Sequence, residues 1–306
     1  MSILNLQSDG LPSIVLTLAR VAAQNKTISR DDLLAICVPQ ATKDSDKDPT
    51  GRARATLVRW TNLGLFVEDG DQVRLSVGLS RGETIDAFTT RLPEVCRELA
   101  LRHENSMPLW PTDGKISEEA AGRTADFCRG LAWCLAQDIY TLPSSQTEIE
   151  SLATFQVQAG RFIFLNDTRW PGFRTWARFL GYATGDDSSF FCDATTAVRW
   201  AFSQIMRTEE TLAASEVISR LAECLPVIDS GVYRQEVEQT LKPETWKKPA
   251  PGHVSTSLSF AMQCLHNQKT IQLTRMADAS SQLTLVGRGG RTWESFTHVR
   301  LMKDAS

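Results

Sequence analysis

One stretch, "TGRARATLVRWTNLGLFVEDGDQVRLS" from Thr50 to Ser76, limits the possible folds more than any other part of the chain. A helix over Gly51 to Leu63, turning about 100° per residue, gathers Ala53, Leu57 and Trp60 on one face. The same turn sets Arg52, Ala55, Arg59 and Asn62 opposite, and Arg54 adds a further cation. Gly64 can adopt the left-handed conformation that ends such a helix. Beyond it, Leu65 and Val67 alternate with Val73, Leu75 and Val77 around an Asp69-Gly70 hairpin turn. Upstream, Leu11, Ile14, Val15, Leu18 and Ala22 recur with helical spacing. Ser29 and Asp32 then form a capping-box-like start to a helix carrying Leu33, Leu34, Ile36 and Cys37, which stops before Pro39. The polar segment "QATKDSDKDPTG" reads as a loop. Three short helices followed by a hairpin is the order of a winged helix-turn-helix, whose third helix enters the major groove.

The pattern recurs twice. "RWPGFRTWARFLGYATGDDSSFFCD", Arg169 to Asp193, again sets a basic, Trp-containing helix before a Gly and two β-prone pieces. In the last third, Leu212, Val217, Ile218 and Leu221 mark one helix, and Ser230 caps a second carrying Tyr233, Val237 and Leu241. After the linker "KPETWKKPAPG", a third helix turns Leu258, Ala261, Met262 and Leu265 inward and Thr256, Ser259, Gln263, His266 and Asn267 outward. "TIQLTRMADASSQLTLVG" reads as its hairpin, and "RTWESFTHVRL" as a last strand. Residues 81–160 read as long helices, broken or kinked at Pro93, with Cys128, Trp133 and Cys134 in their core. The expected fold is mainly α with short β-hairpins (α+β), as tandem winged-helix-like units around a helical middle region. Its divisions are 1–80, 81–194 (ending in the second unit) and 195–306.

The 306 residues suffice for about two domains, and an apolar share of 42% with balanced charge fits a soluble globular chain. No run of about 18 apolar residues occurs, and "MSILNLQSDG" lacks a signal-peptide pattern, which implies a cytoplasmic protein without membrane contact. Seven scattered cysteines, without a CxxC, imply reduced thiols and no zinc site. The net charge of −3 hides an asymmetry. Basic and acidic residues number nine each in 1–80, seven against twelve in 81–160, eight against eleven in 161–241, and nine against four in 242–306. Nucleic-acid contact is therefore expected at the ends rather than the middle.

Motifs of catalysis are missing. "GRGGR", Gly287 to Arg291, lacks the flanking strand, helix and Lys-Ser/Thr of a phosphate-binding loop, and there is no GxSxG or HExxH. The nuclease-like fragments "TDGK" (Asp113, Lys115) and "PETWK" (Glu244, Lys247) have no second acidic ligand on a strand. The expected protein is not an enzyme and uses no cofactor or metal. The nucleic-acid candidates are Arg52, Arg54 and Arg59 in the first unit and Arg174 and Arg178 in the second. In the third they are Lys247, Lys248, Gln263, Lys269, Arg275, Arg288 and Arg291. Forked cations suit phosphates, and Asn62 or Gln263 suits base edges. Glu68, Asp69 and Asp71 in the first hairpin oppose phosphate, so the third unit is favoured. If exposed, Trp60, Trp176 and Trp293 would instead serve as anchors for a protein partner.

Residues 11–77 and about 211–301 resemble winged helix domains. More widely, "SILNLQSDGLPSIVLTLARV", "WARFLGYAT" and "VSTSLSFAMQCLHNQKTIQLTRMADAS" are similar to the G component of bacterial Dpd clusters, which insert 7-deazaguanine derivatives into DNA and restrict DNA lacking them. That resemblance implies a non-modifying accessory of a restriction or phage-defence complex, and it carries over no catalytic residue. The first functional expectation is thus a DNA-binding subunit, with double-stranded DNA and ATPase or helicase subunits of the same cluster as partners. An interaction adaptor and a transcription regulator are the alternatives.

Overall fold

The structure is a computed structural model that describes residues 3–4, 11–38, 50–111, 121–164, 169–186, 189–277 and 281–303. The chain opens with α1 (Pro12–Asn25), β1 (Ile28–Ser29), α2 (Arg30–Cys37), α3 (Gly51–Leu63), β2 (Phe66–Asp69) and β3 (Gln72–Leu75). Pro12 sits where a helix has no need of its N–H. Ser29 Oγ accepts from the Asp32 N–H at 3.1 Å and so caps α2. Gly64, at φ 96°, closes α3. The three strands form an antiparallel sheet in the order β1-β3-β2, with Ile28 opposite Val73.

One register expectation fails here. Phe66, not Val67, faces the core, and it pairs with Leu75. The reason is local: the Leu65 N–H is spent on the Trp60 carbonyl in closing α3. The strand therefore starts at Phe66, and Leu65 and Phe66 are both buried while Val67 is half-buried.

Next come α4 (Ile85–Leu101), α5 (His103–Ser106), α6 (Ala125–Ala136), α7 (Gln146–Gln156) and α8 (Arg169–Phe179). Pro93 lies inside α4 without ending it. They are followed by β4 (Ala183–Thr184), β5 (Phe191–Cys192), α9 (Thr195–Ile205), β6 (Thr211–Ala213), α10 (Ala214–Cys224), α11 (Val232–Glu238) and α12 (Thr256–Asn267). The chain closes with β7 (Ile271–Thr274), β8 (Leu283–Val286), β9 (Thr292–Phe296) and β10 (His298–Leu301). The fold is mainly α with short antiparallel β-hairpins.

Two compact units result: Met1–Phe127 with Thr168–Leu180, and Cys128–Asp167 with Gly181–Ser306. The boundaries expected near residues 80 and 194 fall inside them. α8 belongs to the first unit and the β4–β5 hairpin to the second, so the second sequence repeat is divided between the two. In the first unit, Trp60 and Trp176 lie 5.4 Å apart with almost no exposure. Trp170 stacks on Phe173 at 5.4 Å, and Phe127 meets Phe173 at 5.8 Å. Asn105, 4% exposed, donates to the carbonyls of Leu63 and Leu99 and ties the end of α3 to α4.

In the second unit, Trp133, Cys128 and Cys134 are buried. The indole N–H of Trp133 donates to Gln156 at 2.8 Å, and the Gln156 amide donates to Gln137 at 2.9 Å, which gives these three buried side chains partners in one another. The Asp229 carboxylate accepts from both the N–H and the Oγ of Ser255, fixing the start of α12. Buried Arg234 is held by Glu238 at 2.6 Å.

The C-terminal repeat begins with α9, which lies inside the expected 195–306 division but upstream of the pattern read from about 211. Its sheet has the order β6-β10-β7, with Val299 between Leu212 and Leu273. The short strand β6 follows α9, as β1 follows α1, and α9 packs against α10 and α12. The expected β7–β8 hairpin is absent. β7 pairs with β10, and β8 pairs with β9 as an inserted hairpin. The repeated path is thus helix, short strand, helix, helix and two strands, with α11 and β8–β9 as insertions in the second copy.

Candidate nucleic-acid interface

α3 presents an open face. Arg52, Arg54, Val58 and Asn62 are exposed on it, and Val58 keeps 49% of its surface in solvent. Arg54 donates to the Thr50 hydroxyl at 3.2 Å. Arg59 departs from expectation, being 7% exposed and turned into the unit. Thr56 and Leu63 are buried beside Ala53, Leu57 and Trp60. They swing the inward stripe toward Arg59 and put Val58 in the outward position the sequence had given to the arginine.

Beside α3, the β2–β3 hairpin exposes Arg74 but also Asp69 and Asp71 at its tip. Glu68 is neutralised by Arg30 at 2.7 Å, so the acidic objection reduces to the two tip aspartates. Ser76 Oγ donates to the carbonyls of Gly64 and Leu65, which sets the hairpin against the end of α3. Ile36, 61% exposed on α2, adds apolar surface to this part of the unit.

α8 offers no comparable face. Trp170, Phe173 and Trp176 are buried, and Arg174 and Arg178 are half-buried. The tryptophan-anchor expectation fails for Trp60 and Trp176, while Trp293 keeps 38% exposure.

α12 is occluded. Ser257, Leu258, Ser259, Ala261, Met262 and Leu265 are buried. Ser259 was expected outside, yet β8 packs over it: its Oγ accepts from the Val286 N–H at 2.8 Å and donates to the Val254 carbonyl. Thr256 accepts from the Ile139 N–H, and Phe260 packs on Tyr140 and Phe191. Gln263, half-buried, donates to Asn267. A helix covered in this way cannot enter a groove of about 12 Å without unpacking.

The remaining cations of the second unit lie on its surface but off this helix's groove-facing positions. Lys247, Lys248, Lys269, Arg275, Arg288 and Arg291 are exposed, and Lys248 lies 3.6 Å from Glu238. A cavity of about 350 Å³ has Lys247, His253, Thr256 and Gly290 in its lining. Glu244 sits on an exposed turn with Lys247 exposed just beyond it, and Asp113 and Lys115 lie outside the described residues.

Burial raises the thiol pKa of Cys96, Cys134 and Cys264 and pushes Cys37 up to about 11. These thiols stay protonated near neutral pH and are poor nucleophiles or metal ligands. Among the described residues, no three His, Cys, Asp or Glu side chains converge as a metal site. None of the described helices is long and apolar enough to cross a membrane.

A family model described as DpdG-like matches residues 1–279. No curated protein and no solved structure matches the chain.

Proposed function

The chain belongs to the DpdG-like family, and from that premise we propose that it is a non-enzymatic, cytoplasmic DNA-binding subunit of a Dpd-type DNA modification and restriction system. In this reading both repeats are winged helices, and the first one meets the duplex. ATPase or helicase subunits of the same system are its protein partners. The observation that carries the reading is the face of α3 on which Arg52, Arg54, Val58 and Asn62 are exposed next to a hairpin bearing Arg74. Arginine forks bind phosphate or guanine edges, Asn62 matches an adenine edge, and Val58 suits a thymine methyl group. The basic C-terminal surface remains available for backbone contacts without inserting a helix.

Binding of the full chain to a fluorescent random-sequence duplex across a salt series tests this. A micromolar or tighter complex that weakens steeply with salt is expected, because neutralised phosphates release counterions. Absence of binding at about 50 mM salt overturns it.

A second reading, an adaptor that docks protein through the same face, is favoured by one specific observation. Ile36 and Val58 are exposed beside the aspartates of the hairpin tip. Co-purification with neighbouring subunits after a failed duplex experiment would establish it.

A further inference from the structure

The β8–β9 hairpin is the least explained element of the second unit. It interrupts the β7–β10 pairing, covers α12 and carries the "GRGGR" segment at its tip. Gly287 donates to the Arg291 carbonyl at 2.7 Å, closing the tip, and Gly289 and Gly290 take φ values of 66° and 78°. Glycine takes that path more readily than any other residue. A Cβ placed on Gly289 or Gly290 would meet no atom within 4 Å, so the tip stands in open space.

Its chemistry is unlike that of an ordinary turn. Arg288 and Arg291 are exposed and make no ion pair among the described residues. Trp293 follows at once, with 38% of its surface in solvent. Its indole is held in place: a Cβ on Gly287 would lie 2.3 Å from the ring, so the ring rests against bare backbone. Tyr140 supports it at 6.4 Å in an edge-on arrangement, and Tyr140 in turn contacts Phe191 and Phe260. The one carboxylate between Ser281 and Phe296, Glu294, faces His266 at 4.0 Å.

The geometry points to the tip of the β8–β9 hairpin as a binding site for unpaired nucleic acid, with Trp293 as a platform for one base and Arg288 and Arg291 as contacts to the flanking phosphates. An aromatic ring stacks on a base only when the base face is free, which a duplex does not offer at its side. A purely electrostatic duplex contact would need the arginines but gives no reason to hold an indole half out of solvent beside them. Fixing the indole against Gly287 and Tyr140 removes the ordering cost that a mobile aromatic would incur on stacking. The site does not rest on the duplex role of α3.

The test uses the full chain and a fluorescein-labelled dT15 strand, with a random duplex in parallel. Trp293→Ala is expected to weaken dT15 binding by about 5- to 100-fold, the range of one lost base stack, and Trp293→Phe to restore most of it. Replacing Arg288 and Arg291 together by alanine should lower the salt slope for dT15 by about 1.4. Addition of dT15 should quench tryptophan emission in the wild type and much less in Trp293→Phe. Duplex binding should change less than about twofold in Trp293→Ala, whereas Arg52→Glu with Arg54→Glu should weaken duplex binding about 100-fold and leave dT15 binding in place. Wild-type dT15 binding that Trp293→Ala leaves unchanged overturns the stacking site, as does failure of the wild type to bind dT15 at about 50 mM salt. Should Trp293→Ala fail to fold, Trp293→Phe quenching and the double-arginine variant decide the matter.

Discussion

α3 and α12 occupy the same step in two copies of one path, each the last helix before a pair of strands, and they meet solvent in opposite ways. α3 leaves Arg52, Arg54, Val58 and Asn62 open. α12 is covered by β8, with Ser259 accepting from the Val286 amide, and by the Tyr140 and Phe191 rings on Phe260. Equal position in a fold therefore does not give equal access, and a basic composition nearby does not make a helix a groove reader. In the second copy, Arg288 and Arg291 are exposed on the hairpin that covers the helix.

Several experiments can break or sharpen this contrast. The largest effect is expected from Trp60→Ala, which removes the ring that packs at 5.4 Å on Trp176 and supports the open face from behind. It should cost about 3–5 kcal/mol in chemical denaturation. A loss below about 1 kcal/mol would show that α3 does not depend on this pair. Next, Arg52→Glu with Arg54→Glu should weaken duplex binding about 100-fold at moderate salt and lower its salt slope by about two.

Ser259→Val should destabilise the second unit by about 1–3 kcal/mol, since the Val286 amide loses its acceptor. Faster amide exchange at Val286, read by NMR, would show the cover loosening from α12. The smallest effect belongs to Gln263→Ala, less than about twofold on duplex affinity, because its amide is already bound to Asn267 on an occluded helix. If Gln263→Ala matched the double-arginine variant, the contrast between the helices would collapse.

Much of this was legible because it is local. The limits of α3, the Gly64 cap and the Ser29 cap follow from residues within a few positions of one another. The failures have non-local causes. Arg59 is buried because Thr56 and Leu63 join the inward stripe, a choice made by neighbouring elements rather than by the helix. The strands β1 and β6, two and three residues long, carry too few side chains for alternation to be seen. β7 pairs with β10 across an insertion, and a sequence reading pairs the nearest strands first. Phe66 is buried beside Leu65 where the chain passes from α3 into β2, a turn that strand alternation does not reveal. The candidate site suffered from the same blindness: the exposed valine on α3 was missed, and the cover over α12 comes from a hairpin whose place in the sheet no local pattern encodes.

Thr274 and His298 are direct partners in the β7–β10 ladder, so the chain leaves the sheet and returns to it through a narrow neck. Everything from 275 to 297 is in that sense a graft on a finished scaffold. A two-residue Asn-Gly type turn could bridge the neck in its place. Such a shortened protein would keep its three-stranded sheet and lose the part of the cover over α12 that β8 supplies, while α9 and the Tyr140 and Phe191 rings stay in place. The hairpin is therefore the element whose removal uncovers the Ser259 face of α12 without cutting a strand of the three-stranded sheet.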